Sequence, residues 1–161
     1  MTPLWLPGDA ILYPEDKELS SEIVAFGERE MRLKAGAQYT HAGIAYLGDN
    51  NQFEAIFPRA RFSLIDTSRT FEVWRLCDLT DTERNVILEW CRQHDGYFYD
   101  LPGVLTGGRV KIPGLIYCSR AVCLAYDMIG KHPGDLIMSP DSLPLYPGAR
   151  MLYRHTPVRE N

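Results

Sequence analysis

"LIYCSRAVCLAYDMIG", residues 115–130, places a cysteine at the point where a loop becomes a helix. Pro113 and Gly114 precede it, then the short apolar run Leu115–Tyr117; after it, apolar residues recur at helical spacing. Cys118 has two readings. A small apolar residue packs well at the first turn of a buried helix, and cysteines are often buried. Alternatively, the unpaired N–H groups and partial positive charge of a helix N-terminus favour the thiolate, the reactive form of cysteine. The same amides can hold an oxyanion formed on a substrate carbonyl. Cys123, a little over one turn further on in the run Val122–Leu124, reads as core.

A nucleophilic thiolate needs a base, and the base needs an orienting group. Of the four histidines, His94 falls at a helix end, and His132 and His155 lie in polar, loop-like surroundings. His41 opens a predicted strand, "YTHAGIAYL", with small neighbours Ala42 and Gly43 that leave room for another group. Its plainer reading is a strand-edge histidine with a satisfied hydrogen bond. Glu54, in "NQFEAIF", is an acid in an apolar strand, where a carboxylate is costly without a partner; its plainer reading is a solvated residue on the strand face. Strand side chains alternate with period two. With Ala45 opposite Glu54, residues 41, 43, 45 and 54 share one sheet face, but His41 and Glu54 stand several residues apart. A turn centred nearer Leu47 and Gly48 brings the two opposite each other, and both registers are open.

Outward from these residues, "GDAILY" (8–13) reads as a strand and residues 14–36 as a helix ending at Gly36. "THAGIAYLGDNNQFEAIF" (40–57) reads as a hairpin turning at "GDNN", followed by the strands "ARFSLID" and "TFEVWRL". "LTDTERNVILEWCRQHDG" (79–96) reads as a helix opened by Thr80 and Glu83 at capping-box spacing, with Val86, Ile87, Trp90 and Cys91 on one face. Residues 97–117 read as a long irregular segment of the kind that often carries function. A short strand near Met151–Tyr153 closes the chain. This order is α+β, an antiparallel sheet packed against helices.

Composition narrows the function. The 161 residues carry a formal net charge of -4, and the basic residues are scattered, so nothing forms a footprint for nucleic acid or an anionic membrane. No apolar run approaches the roughly 18 residues of a membrane span. The N-terminus lacks a positive region and is broken by three prolines, unlike a signal peptide. The chain reads as cytoplasmic, or as exported by a route the sequence does not display. The four cysteines include no CxxC pair, and Cys91 and His94 lack a second close pair. Neither a metal site nor a cofactor is expected.

"PGDAILY", "THAGIAY", "FEA" and "YCSRAVCLAY", in that order, resemble the circularly permuted papain-like hydrolases, the YiiX-like branch of the NlpC-type peptidase superfamily. In ordinary members the cysteine helix precedes the histidine strand; in the permuted branch, as here, the histidine comes first. The resemblance runs from about Pro7 to about Leu143 and implies a single permuted papain-like domain over residues 1–161. It implies Cys118 as nucleophile, His41 as base and Glu54 as orienter. The family's G-x-x-Y signature falls on Gly96 and Tyr99, which makes Tyr99 a substrate-binding residue beside the oxyanion. Arg120 reverses the acidic charge more usual after the serine, which bears on substrate preference. The expected activity is a cysteine peptidase or amidohydrolase cleaving an amide bond in a peptide or cell-wall-like peptide. The alternatives are a thioesterase or acyltransferase on a lipid-like acyl group, and a non-catalytic binding module that retains the fold.

Overall fold

The computed structural model describes residues 5–14, 38–48, 50–106, 109–110, 112–131 and 140–157. The helix expected over 14–36 lies outside them except for Pro14, and so does His132. The described strands are β1 (Ala10–Pro14), β2 (Tyr39–Ala45), β3 (Asn51–Ile56), β4 (Arg59–Leu64), β5 (Phe71–Arg75), β6 (Phe98–Tyr99), β7 (Leu115–Ile116) and β8 (Arg150–His155). The described helices are α1 (Asp81–Gln93), α2 (Leu101–Leu105), α3 (Cys118–Asp127) and a 3-10 turn over Pro140–Leu145. All eight strands join one sheet in the order β7-β6-β4-β3-β2-β1-β5-β8. The architecture is α+β.

β1 and β2 lie inside the sheet and are buried nearly throughout; β1 reads as an almost continuous apolar run, while β2 buries Thr40 and His41 among its apolar residues. On one face, Ala10, Leu12, Ala42, Ile44 and Phe53 form a core with Ile87, Trp90 and Cys91 of α1 and Val122, Cys123 and Tyr126 of α3. A second cluster gathers Ile11, Tyr13, Ala45, Ile65, Phe71 and Val73. α1 begins with the expected capping box: Glu83 N–H donates to Thr80 Oγ1, and Thr80 N–H donates to Glu83 Oε2. Its buried side is Arg84, Ile87, Leu88, Trp90 and Cys91; Val86 is only half-buried.

Two expectations need correction. The sheet is not wholly antiparallel, since β6 and β7 pair in parallel through Phe98–Leu115 and Tyr99–Ile116. Residues 97–117 are not irregular throughout either, because they hold β6, α2 and β7. Two-residue strands are too short to show a period, and their pairing depends on partners far along the chain.

Candidate active site

The β2–β3 hairpin adopts neither register foreseen. Gly43 faces Glu54, Ile44 faces Phe53 and Ala45 faces Gln52. The loop sets this: Gly48 and Asn50 both take positive φ, and Tyr46 N–H donates to the Asn51 carbonyl at 2.9 Å. His41 and Glu54 are therefore diagonal neighbours across Gly43. The diagonal is within reach of long side chains, and His41 Nε2 lies 2.9 Å from Glu54 Oε2. Glu54 Oε1 accepts from Arg61 Nε and Nη2 at 3.4 Å each, from directly across β4.

Cys118 is the first residue of α3, which packs against β2 and β3. Its sulfur lies near enough to His41 to act on the charge of the ring. With Nε2 on Glu54, Nδ1 is the ring nitrogen left for another partner. The imidazole thus has a thiol from a helix and a carboxylate from a strand as neighbours, and all three residues are buried. Burial alone would push His41 down, but the neighbouring Cys118 sulfur and the hydrogen-bonded Glu54 carboxylate overcome this and raise it to about 10. Burial would likewise raise Glu54, but the hydrogen bond and charge of His41, helped by Ser63 and Arg61, lower it to about 2. The arrangement favours an imidazolium beside a carboxylate.

The start of α3 differs in its capping from the starts of the other two described helices. Its N-cap, Tyr117, makes no side-chain capping bond. In α1 and α2 the cap side chain takes an amide. Cys123 is buried in the core, where desolvation lifts its thiol to about 12; Cys91 is lifted for the same reason.

Tyr99 is half-buried on β6, donates its N–H to the Pro58 carbonyl at 2.9 Å and packs against the main core. It pairs with Ile116, two residues before Cys118. Arg120 is not a loose surface charge, because Nη1 donates to Asp100 Oδ2 at 2.8 Å and Asp100 is fully buried. His94 caps α1 and stacks on Trp90, and His155 Nε2 lies 2.9 Å from the Thr67 carbonyl oxygen. Neither is grouped with Cys118 here. The sequence reading missed Arg61 as a partner of Glu54 and Ser63 as a near neighbour. The signal was present in β4, whose alternation places residues 61 and 63 on one face, but only the register reveals which face Glu54 shares.

No family model matches the sequence, and no curated protein is similar to it. The structure is similar to that of a solved protein described as metalloprotein yiiX from Escherichia coli O157:H7, with a TM-score of 0.60 and 17% identity, covering 80% of this chain and 69% of that one. At that identity the likeness concerns the fold alone, which is YiiX-like.

Proposed function

We propose that the chain is a permuted papain-like cysteine hydrolase that cleaves an amide bond, with Cys118 as nucleophile, His41 as acid and base, and Glu54 as orienter. The observation that carries this reading is the buried His41 ring, hydrogen-bonded to Glu54 and close enough to the Cys118 sulfur at the start of α3 to feel its charge. His41 takes the Cys118 proton, and the thiolate attacks the substrate carbonyl carbon. The carbonyl oxygen becomes an oxyanion, for which the uncapped start of α3 supplies N–H donors and a positive field. The imidazolium then gives its proton to the leaving amine, the C–N bond breaks, and a thioester to Cys118 remains. Water, deprotonated by His41, attacks the thioester and releases the carboxylic acid and the thiol. Glu54 accepts the imidazole N–H throughout and balances its charge. Tyr99, adjoining the β7–α3 junction, is assigned to the substrate side.

The yiiX neighbour is described as a metalloprotein. Among the described residues here, no three histidine, cysteine, aspartate or glutamate side chains are grouped to hold a metal ion. Cys118, His41 and Glu54 do not form such a group, and His41 Nε2 is already bonded to Glu54 Oε2. They do not fit a metal.

A second reading, hydrolysis or transfer of an acyl group, is favoured by one further observation. Phe98 on β6, Leu105 on α2 and Ile112 ahead of β7 are exposed apolar residues on the segments leading to Cys118. They suit a substrate with an apolar arm. Incubation with a panel of peptidoglycan peptides, acyl amides and acyl thioesters decides between the two readings. Turnover of a peptide amide that disappears in Cys118→Ser and His41→Ala is the expected result. Turnover confined to thioesters selects the acyl reading. Turnover that survives in Cys118→Ser removes both.

A further inference from the structure

Four buried side-chain atoms have no hydrogen-bond partner among the described residues: Tyr13 Oη, Gln52 Oε1, Ser63 Oγ and Arg69 Nε. They gather around the His41–Glu54 pair. Tyr13 faces His41 across β1 and β2, with ring centroids 5.5 Å apart. Gln52 lies two residues before Glu54 on the same face, and Ser63 faces Gln52 from β4. Arg69 covers the Tyr13 ring, with its guanidinium carbon 5.0 Å from the ring centroid. Gln52 leans over Gly43, so that its Oε1 would stand 2.6 Å from a Cβ there.

Elsewhere the buried acids are well paired. Asp9 accepts from Arg75 and from Leu6 N–H. Glu72 accepts from Tyr39 and Trp74, and Asp100 from Gly103 N–H and Arg120. Unpaired buried polar groups cost stability, and their concentration in one place calls for a local reason.

We propose that Tyr13, Gln52 and Ser63 form a buried polar rest behind the His41–Glu54 pair and act as positioning residues, holding the carboxylate and the ring in the rotamers that serve Cys118. This rests on the cysteine-hydrolase reading and deepens it. Tyr13 and Gln52 are 1% and 2% exposed, so they are placed to act through the pair and not on a substrate. The Tyr13 ring restricts the imidazole. Ser63, without a well-formed hydrogen bond, is near enough to help keep Glu54 ionised. Gln52 bridges the space above Gly43 towards Tyr13, whose phenol it influences. The charged and titratable groups around Glu54 are His41 from β2, Arg61 from β4 and Tyr13 from β1, with Cys118 reached through His41 and Arg69 through Tyr13.

The test follows Cys118 alkylation by iodoacetamide in the full chain against pH, with each thiol assigned by mass spectrometry. Tyr13→Phe and Ser63→Ala each remove one hydroxyl, and Gln52→Met keeps length and loses the amide. A less firmly held Glu54 supports the imidazolium less, so the thiolate is lost at higher pH. The expected result is that the acid limb moves up and labelling near pH 5 falls about fivefold, a shift of under one pKa unit. Ser63→Thr restores the wild-type profile. Variants that match the wild-type urea midpoint and the wild-type pH profile overturn the proposal. If Gln52→Met does not fold, the Ser63→Ala and Ser63→Thr pair decides. Wild-type Cys118 that labels no faster than Cys77, Cys91 or Cys123 overturns the hydrolase reading itself, a result distinct from silent variants beside a reactive wild type.

Discussion

An added Cβ at Gly43 would stand 2.6 Å from Gln52 Oε1 and 3.2 Å from the Phe53 carbonyl oxygen. The side chain can yield, but the backbone oxygen cannot without distorting the β2–β3 ladder. Space, not backbone conformation, makes glycine necessary, since Gly43 is not among the residues with positive φ. Gly43→Ala is therefore expected to lose about 1–3 kcal/mol, as overpacked sites do, and to slow Cys118 labelling by disturbing the His41–Glu54 diagonal. Urea unfolding beside iodoacetamide labelling checks both effects; full stability with full reactivity contradicts the account. The sequence alone shows that a small residue beside His41 leaves room, but not that an amide side chain fills that room. The other thiols make a second prediction at this scale. Burial raises Cys91 and Cys123, and Cys77 is raised for the same cause. All three are expected to stay unlabelled under brief treatment that labels Cys118, and early labelling of Cys123 would show that its burial does not protect it.

At the scale of elements, the junction that presents Cys118 is braced by a charge pair. Asp100 ends the β6 segment, accepts the Gly103 N–H at 2.8 Å as the cap of α2, and takes Arg120 of α3 on its other oxygen. Its own N–H donates to the Ile116 carbonyl at 2.9 Å. One residue thus ties together α2, β7 and α3. Arg120 is best understood as a strut, and a role in substrate preference is not needed to explain it. Arg120→Met is expected to cost about 3 kcal/mol, because it leaves a buried carboxylate short of its partner. Once folded, it should leave relative rates across a substrate panel unchanged. A changed preference at unchanged stability would return Arg120 to the substrate side. This part of the chain was the least legible. Asp100, Pro102 and Gly103 are helix-start residues in hindsight, but a five-residue helix between two-residue strands has no periodicity to read. The longer elements were plain for the opposite reason: α1 shows both its cap and its apolar face over 13 residues. The hairpin lay between these cases. Period-two alternation correctly placed His41 and Glu54 on one face, but the register depended on positive φ at Gly48 and Asn50, which composition does not fix.

At the scale of the molecule, the sheet brings together groups far apart in sequence, and the same bonds tie the site to global stability. The strand order puts β2 and β3 in the interior of the sheet, so the His41–Glu54 bond is made where water is excluded. Its contribution must then follow the ionisation of both partners. His41 is raised from 6.5 to about 10, so its stabilisation is fully present below about pH 6.5 and is lost as pH rises through about 10. Glu54 is lowered from 4.5 to about 2, so its stabilisation is present above about pH 4.5 and is lost as pH falls through about 2. These are two views of one bond, counted once, and its contribution is greatest between about pH 4.5 and 6.5. Urea midpoints of the wild type and Glu54→Gln, measured across pH, are expected to differ most inside that window and to converge on both sides. Cys118→Ala should draw in the alkaline side alone, since the sulfur helps to raise His41 but is not among the main groups acting on Glu54. A wild-type advantage over Glu54→Gln that stays constant from acid to alkaline pH would mean that the bond does not depend on charge. Glu54 would then hold the imidazole by shape and hydrogen bonding, without supporting an imidazolium.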